Sequence, residues 1–235
     1  MAYRILVPFE LPDGEPVSRL LVDSLAGMEV VLLGHYGLPE QTPPEAARDQ
    51  FEEDAQAELD ALAADFVEAG IDVTTRLMFG KDRNKAIDQV AIEEGCDAEL
   101  DPAPTAGIDR ILVPLVDTEN VDRLAFFVRA LLGEGTSAVT LFHVAEGDER
   151  AAEAEGMLEE SRDAMVESGL DPGLVEFAVV DSDGHDAEIL RMAGEYDAVV
   201  MDEASPDVAE RIFGTLSDRI ARQTGNPVIL VRRPR

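Results

Sequence analysis

The sequence predicts an α/β protein built as two tandem open parallel sheets, and three observations predict it. The pentapeptide Arg-Ile-Leu-Val-Pro occurs twice, at residues 4–8 and 110–114. Each copy opens the same alternation of short apolar segments with amphipathic helical ones, the signature of a parallel α/β sheet with right-handed crossovers. Each pentapeptide is itself a run of apolar residues closed by a proline, which reads as a fully buried first strand, because proline stands only where the ladder no longer needs an N–H.

Alignment from the two prolines extends beyond the pentapeptide. Residues 31–36 (Val-Leu-Leu-Gly-His-Tyr) fall on residues 139–144 (Val-Thr-Leu-Phe-His-Val), and residues 95–100 fall on residues 195–200. A repeat of about a hundred residues is domain-sized, far longer than the roughly 20–50 residues of a solenoid repeat. The expected organisation is a first domain over 1–101, a linker over 102–107 rich in proline and small residues, and a second domain over 108–235.

In the first domain, residues 3–9 predict strand one, and a helix follows with Val17, Leu20, Leu21 and Leu25 as its apolar positions. Residues 29–36 predict strand two. The long helix over about 45–69 places Phe51, Ala55, Leu59, Leu62, Phe66 and Ala69 on one face and acids on the other, and Gly70 caps it. Residues 72–79 alternate as strand three, and residues 84–93 form a helix with Ile87, Val90 and Ala91 inward. Residues 97–100 suit a fourth strand interrupted by Glu99, after which the linker begins, so the first domain lacks its last helix and fifth strand.

The second domain repeats the order and completes it. Residues 109–116 predict strand one, Val121, Leu124, Val128, Leu131 and Leu132 face inward on the next helix, and residues 138–144 predict strand two. An acidic helix over 148–168 ends at Gly169, residues 174–180 form strand three, and the following helix carries Ile189, Leu190, Met192 and Ala193. Residues 198–201 form strand four. Ser205 as N-cap and Pro206 at the first position begin a helix whose buried stripe is Val208, Ile212, Leu216 and Ile220, and residues 228–231 form strand five.

Composition narrows the class of function. Fifty acidic against nineteen basic residues give a formal net charge of −31, and the hydrophobic fraction of 46% supplies a core for each domain. Nucleic acid would be repelled by such a surface. The carboxylate coat, interleaved with periodic apolar residues, has the composition of a halophile's protein. Its self-repulsion acts over a Debye length of about 30 Å at 0.01 M salt but only about 3 Å at 1 M. No apolar run is long enough to span a bilayer and no basic-then-apolar leader opens the sequence, so the expected location is cytoplasmic, without membrane insertion. Cys96 is the only cysteine; it forms no internal disulfide and is assigned to packing.

The ordered set in the second domain resembles the universal stress protein family. It comprises Ile-Leu-Val-Pro before an acidic loop, a strand ending His-Val, Asp-Ala-Val-Val-Met, Gly214-Thr215 inside a helix, and Asn-Pro-Val-Ile-Leu-Val. The first domain carries most of the same set up to about residue 100. The resemblance implies a Rossmann-like fold of the adenine nucleotide alpha hydrolase type, with strand order 3-2-1-4-5 in the second domain. A ligand of such a sheet sits at the carboxyl ends of its strands where the order reverses, which marks Val116, Asp117, Met201 and Asp202. Nucleotide-binding members of the family have Gly-x-x-Gly, nine residues and then Gly-Ser or Gly-Thr after strand four, with a first-strand Asp at the adenosine end.

This chain keeps Gly214, Thr215 and Asp117. The two leading glycines are replaced by Met201 and Ala204, or by Asp202 and Ser205 with a one-residue gap. Asp202 and Glu203 place carboxylates where a triphosphate would lie, and like charges about 4 Å apart cost about 4 kcal/mol at an effective dielectric of 20. The expected function is therefore a stress-response binding or regulatory module with a degenerate nucleotide crevice, not an enzyme, with no resident cofactor. Two alternatives stand beside it: an ATP- or AMP-binding switch with weak ATPase activity that uses Asp117, Gly214 and Thr215, and a soluble regulatory partner of a membrane transporter.

His35 and His143 end their second strands near the crevice and are assigned structural roles, as no Ser or Cys nucleophile sits in a recognisable motif. His185 reads as a surface residue. Asp181, Asp183 and Asp186 read as turn and cap residues, because the Gly and Glu spacing of a calcium loop is absent. Finally, members of the family commonly pair through strand five. With no twin in the first domain, the edge Val228, Ile229, Leu230 and Val231 is expected to pair between two chains as a homodimer; covering by the linker is the alternative.

Overall fold

The structure is a computed structural model that describes the 235-residue chain except residues 1, 40, 104–107, 133–135, 146–150, 204–212 and 234–235. For residues 151, 152, 213–215 and 218 it describes the backbone only. The chain divides into two compact units, Met1–Leu100 and Asp101–Arg235.

Unit 1 runs β1 (Arg4–Leu11), α1 (Arg19–Ser24), β2 (Glu29–Gly37), α2 (Pro44–Glu68), β3 (Asp72–Gly80), α3 (Arg83–Glu93) and β4 (Ala98–Asp101). Its strands lie in the order β3-β2-β1-β4 and every pair is parallel. Ala55, Leu59, Leu62, Ala63 and Phe66 bury one side of α2. On the opposite face Ala86, Ile87, Val90 and Ala91 of α3 pack with Leu6, Val31, Leu33 and Cys96. Cys96 therefore has the expected packing role. Leu20, expected among the apolar positions of the first helix, is 55% exposed. With Ser18 as N-cap, α1 is only six residues long and buries Leu21 and Val22 instead.

Unit 2 runs β5 (Arg110–Pro114), α4 (Val121–Leu131), β6 (Ala138–Ala145), α5 (Ala151–Glu167), a 3-10 turn (Pro172–Leu174), β7 (Val175–Asp181), α6 (His185–Ala193), β8 (Ala198–Asp202), α7 (Phe213–Thr224) and β9 (Val228–Val231). The order β9-β8-β5-β6-β7, with parallel pairs, is the expected 3-2-1-4-5 read from the other edge. Ser205 and Pro206, and with them the predicted start of the last helix, lie outside the described residues. Gly70 and Gly169 end their helices at φ +79° and +103°, a conformation that only glycine adopts without strain.

The duplication extends to side chains. At the foot of β1 the Arg4 N–H donates to Asp97 Oδ2 at 2.9 Å, and at the foot of β5 the Arg110 N–H donates to Asp197 Oδ2 at 2.8 Å. The guanidinium of each arginine also donates to the carbonyl at the end of the preceding helix, Glu94 O at 2.6 Å and Glu195 O at 2.8 Å. One Arg–Asp clamp therefore ties the first strand to the fourth in both units.

Two expectations are corrected. The first strand of unit 2 ends at Pro114, not at residue 116, so Val116 is outside the sheet and 51% exposed. The histidines, aligned with each other in the sequence, are not structural equivalents. Leu6 pairs with Val31 and Leu112 with Thr140, which sets His143 opposite Gly34 in the repeat. Because side chains alternate along a strand, that one-residue slip sends them to opposite faces. A side chain at Gly34 would meet Leu59 of α2, whereas His35 shares the α3 face with Val31 and Leu33.

Candidate functional site

The order of unit 2 reverses between β5 and β8, so the carboxyl ends of these two strands frame the crevice. Parallel pairing sets the contents. Asp202 is opposite Val231, so the residues that follow β9 emerge beside Asp202 and Glu203. The Glu203 N–H donates to Val231 O at 2.7 Å, which holds the two chain segments together just past their strands.

Arg233 fills the position this creates. Its guanidinium donates through Nη2 and Nε to Asp202 Oδ2 at 2.8 and 3.1 Å, through Nε to Glu203 O at 2.8 Å, and through Nη1 to Glu119 Oε2 at 2.7 Å. Nη2 also lies 3.6 Å from Asp117 Oδ1. Its backbone N–H donates to Glu203 Oε2 at 2.9 Å, and the buried Arg232 sets its Nη2 3.5 Å from Glu203 Oε1. From the other side Asn120 Nδ2 donates to Asp202 Oδ1 at 2.6 Å. Burial pushes the Asp202 carboxyl above its ordinary value, and the hydrogen bonds from Asn120 and Arg233 oppose that shift. Arg233 itself is held above its ordinary value by Glu119, Asp202 and Asp117, against its own desolvation.

The residues singled out from sequence separate accordingly. Asp117 and Asp202 converge on Arg233. Asp117 also accepts from the Glu119 N–H at 2.9 Å, an Asx turn that shapes the β5–α4 loop. Met201 is fully buried with Leu112, Val199 and Ile220 and is a packing residue. Gly214 and Thr215 lie in the first turn of α7; Ala204 and Ser205 lie outside the described residues. Sequence reasoning missed Arg233, Arg232, Glu119 and Asn120. One signal was available for the arginines: a parallel fifth strand beside the fourth carries the residues after it to the end of strand four. His143 has a structural partner, its Nδ1 hydrogen-bonding Leu115 O at 2.9 Å. Asp171 and Asp82 act as caps, and no group of metal-ligating side chains forms among the described residues.

The model of the universal stress protein family matches residues 107–232, more than half of the chain. The chain belongs to the universal stress protein family. Across its whole length it is similar in fold to two solved family members. One is from Archaeoglobus fulgidus DSM 4304, at 18% identity and TM-score 0.67, covering 98% of this chain and 96% of that one. The other is from Pseudomonas aeruginosa UCBPP-PA14, at 15% identity and TM-score 0.55, covering 98% and 93%. The cytoplasmic domain of a prokaryotic cation chloride cotransporter is similar at 11% identity and TM-score 0.51, covering 98% and 95%. Comparison with curated proteins gave no match. No described helix of this family member is long and apolar enough to cross a membrane.

Proposed function

We propose that this universal stress protein is a binding or regulatory module without enzymatic activity, whose unit 2 crevice is closed to adenine nucleotides by its own C-terminal segment. The observation that carries this reading is the position of Arg233, paired at once with Asp202, Glu119 and Asp117. A triphosphate entering here must displace the guanidinium. It then faces Asp117, Glu119 and Asp202, and beside them Glu203, which keeps only Arg232. Repulsion of about 4 kcal/mol per close like-charge pair at an effective dielectric of 20 exceeds what a helix N-terminus returns, about 1 kcal/mol. Calorimetric titration with magnesium and ATP, and with AMP, in molar potassium chloride tests the proposal. The expected result is no saturable heat; micromolar binding by the unaltered protein refutes it and favours the nucleotide-switch reading.

A second reading, a soluble partner of a membrane transporter, draws on the full-length likeness in fold to the cotransporter's cytoplasmic domain. Its test is direct binding to a purified transporter of that class in detergent, and absence of binding removes it.

A further inference from the structure

Among the side chains packed between the sheet of unit 1 and α3, His35 is out of place. It is 1% exposed, and neither Nδ1 nor Nε2 is hydrogen-bonded. A neutral imidazole carries one donor and one acceptor, and burying either without a partner is a cost that a leucine would not carry. The ring shares the α3 face of β2 with Val31 and Leu33, so the packing itself does not call for an imidazole. His143 shows the contrast, with its Nδ1 hydrogen-bonded to Leu115 O.

What this ring can do that leucine cannot is take up a proton close to neutral pH. In its present place the charge would be buried without a hydrogen bond, and burial holds the imidazole below its ordinary value. The charged groups that act on it are Glu10 from β1, and Asp82 and Arg83 from the start of α3; β3 presents Met78 and Gly80, which carry no charge. Asp82 is engaged as the N-cap of α3, accepting from the Lys85 N–H at 3.1 Å. Glu10 is placed to receive an imidazolium. It is the Cα partner of His35 in the parallel β1–β2 ladder, so the two side chains leave the same face of strands about 4.8 Å apart. Its carboxylate stands over Gly37, with Oε1 3.9 Å from where a Cβ would be. Gly37 and Gly80 are opposite each other in the β2–β3 ladder. A Cβ built on Gly80 would meet, among the described residues, only His35 Nε2 within 4 Å, at 3.7 Å. The route from the buried ring to Glu10 therefore crosses two positions that carry no side chain.

We infer that His35 is an acid-operated latch on the carboxyl end of the unit 1 sheet. Neutral, the ring fills the core beneath the junction of β3 and α3 and holds that junction shut. Protonated, it swings out over Gly37 and Gly80 to pair with Glu10, and the junction loses its support and opens. Two backbone hydrogen bonds span the region that loosens: the Leu38 N–H donates to Gly80 O at 2.9 Å, and the Ala86 N–H to Asp82 O at 3.2 Å. The latch lies within unit 1 and is separate from the closed crevice of unit 2, and neither reading depends on the other.

Hydrogen exchange of the whole chain in molar potassium chloride, read by NMR as protection factors between about pH 7.5 and 5.5, tests the latch. An exposed imidazole titrates near pH 6.5, so proton uptake by the open form should raise its population about tenfold over that interval. Protection of the Leu38 and Ala86 amides should fall by the same factor. The Ile71 N–H, which donates to Phe66 O at 3.1 Å at the other end of β3, should keep its protection. His35→Leu should flatten the response. Glu10→Gln, at an exposed position, should cut it to about threefold, the loss of one surface ion pair, and keeps the test decisive should His35→Leu fail to fold. Three results overturn the inference: unchanged protection in the unaltered chain, an equal fall at Ile71, which means that unit 1 opens as a whole, or a full tenfold response in either variant.

Discussion

Removing the Arg233 guanidinium is the sharpest test of how the crevice is closed. In Arg233→Ala the Asp202 carboxylate loses both guanidinium contacts, keeps Asn120, and stands within reach of Asp117 without a counter-charge. The Arg233 and Asp202 side chains are each 20% exposed, between a surface pair worth about 0.2–1 kcal/mol and a buried one whose rupture costs about 3–5 kcal/mol. An expected loss of about 2 kcal/mol corresponds to a fall of about 6 °C in the thermal midpoint for a unit of this size. Calorimetric melting and chemical denaturation both read it. A double-mutant cycle with Asp202→Asn isolates the pair, and its coupling should persist in molar salt, because a mostly buried contact is poorly screened. A loss below about 0.5 kcal/mol, the level of an ordinary surface substitution, or a coupling that vanishes in molar salt, would show that Arg233 only decorates the crevice and that closure has another cause.

Replacing Asp202 and Glu203 together with glycine removes two carboxylates and frees Arg233 to meet phosphate, so measurable ATP affinity should appear in calorimetry; no binding would mean that the site has decayed beyond these residues. The thermal midpoint of the unaltered chain should rise steeply from dilute buffer to molar salt as the net charge of −31 is screened, and a flat response would show the acids to be compensated. His35 has a folded-state value below its ordinary one, so it stabilises the neutral ring above about pH 6.5, and that contribution is lost as pH falls below this value. The stability of the unaltered chain relative to His35→Gln should therefore fall on acidification through that window, and a constant difference would refute the assignment. If β9 edges pair between chains, as the sequence leads one to expect, light scattering at micromolar concentration in molar salt should give twice the 25.4 kDa of one chain; the mass of one chain would exclude the dimer.

The fold was readable because each signal for it is local. Arg-Ile-Leu-Val-Pro reads as a buried strand and is one in both units, ending at its proline in unit 2 but running on to Leu11 in unit 1, and the stripe Ala55, Leu59, Leu62 and Phe66 reads as a helix face and is buried as one. Register is different. The shared histidine suggested one alignment of the two second strands, but strand pairing fixes register through backbone hydrogen bonds, which a sequence match does not report. The slip that separates His35 from His143 was therefore invisible, and it matters because it leaves one imidazole bonded to Leu115 O and the other with no hydrogen bond on either ring nitrogen.

The crevice was half readable for a related reason. Asp117 and Asp202 are placed by the ends of strands, and the ends of strands are visible as the points where apolar runs stop. Arg233 is placed by adjacency, through a pairing between residues 202 and 231 that spans almost thirty positions of sequence. Judged alone, Asp202 and Glu203 looked like bare acids set to repel a phosphate. In the structure their charge is already answered from within the chain, and the difference changes the physics of the closed state. Bare acids would leave an open, anion-repelling crevice that salt could screen, whereas an arginine held on three carboxylates is an occupant that a ligand must displace against several short hydrogen bonds. Removing carboxylates and removing the guanidinium are then not equivalent ways of opening the site: the first exposes a cation to an incoming phosphate, and the second exposes anions to it. Nucleotide affinity should therefore rise in the Asp202→Gly, Glu203→Gly protein and stay undetectable in Arg233→Ala, an ordering that simple repulsion by the two acids would not produce, because in that picture Arg233 would be a bystander.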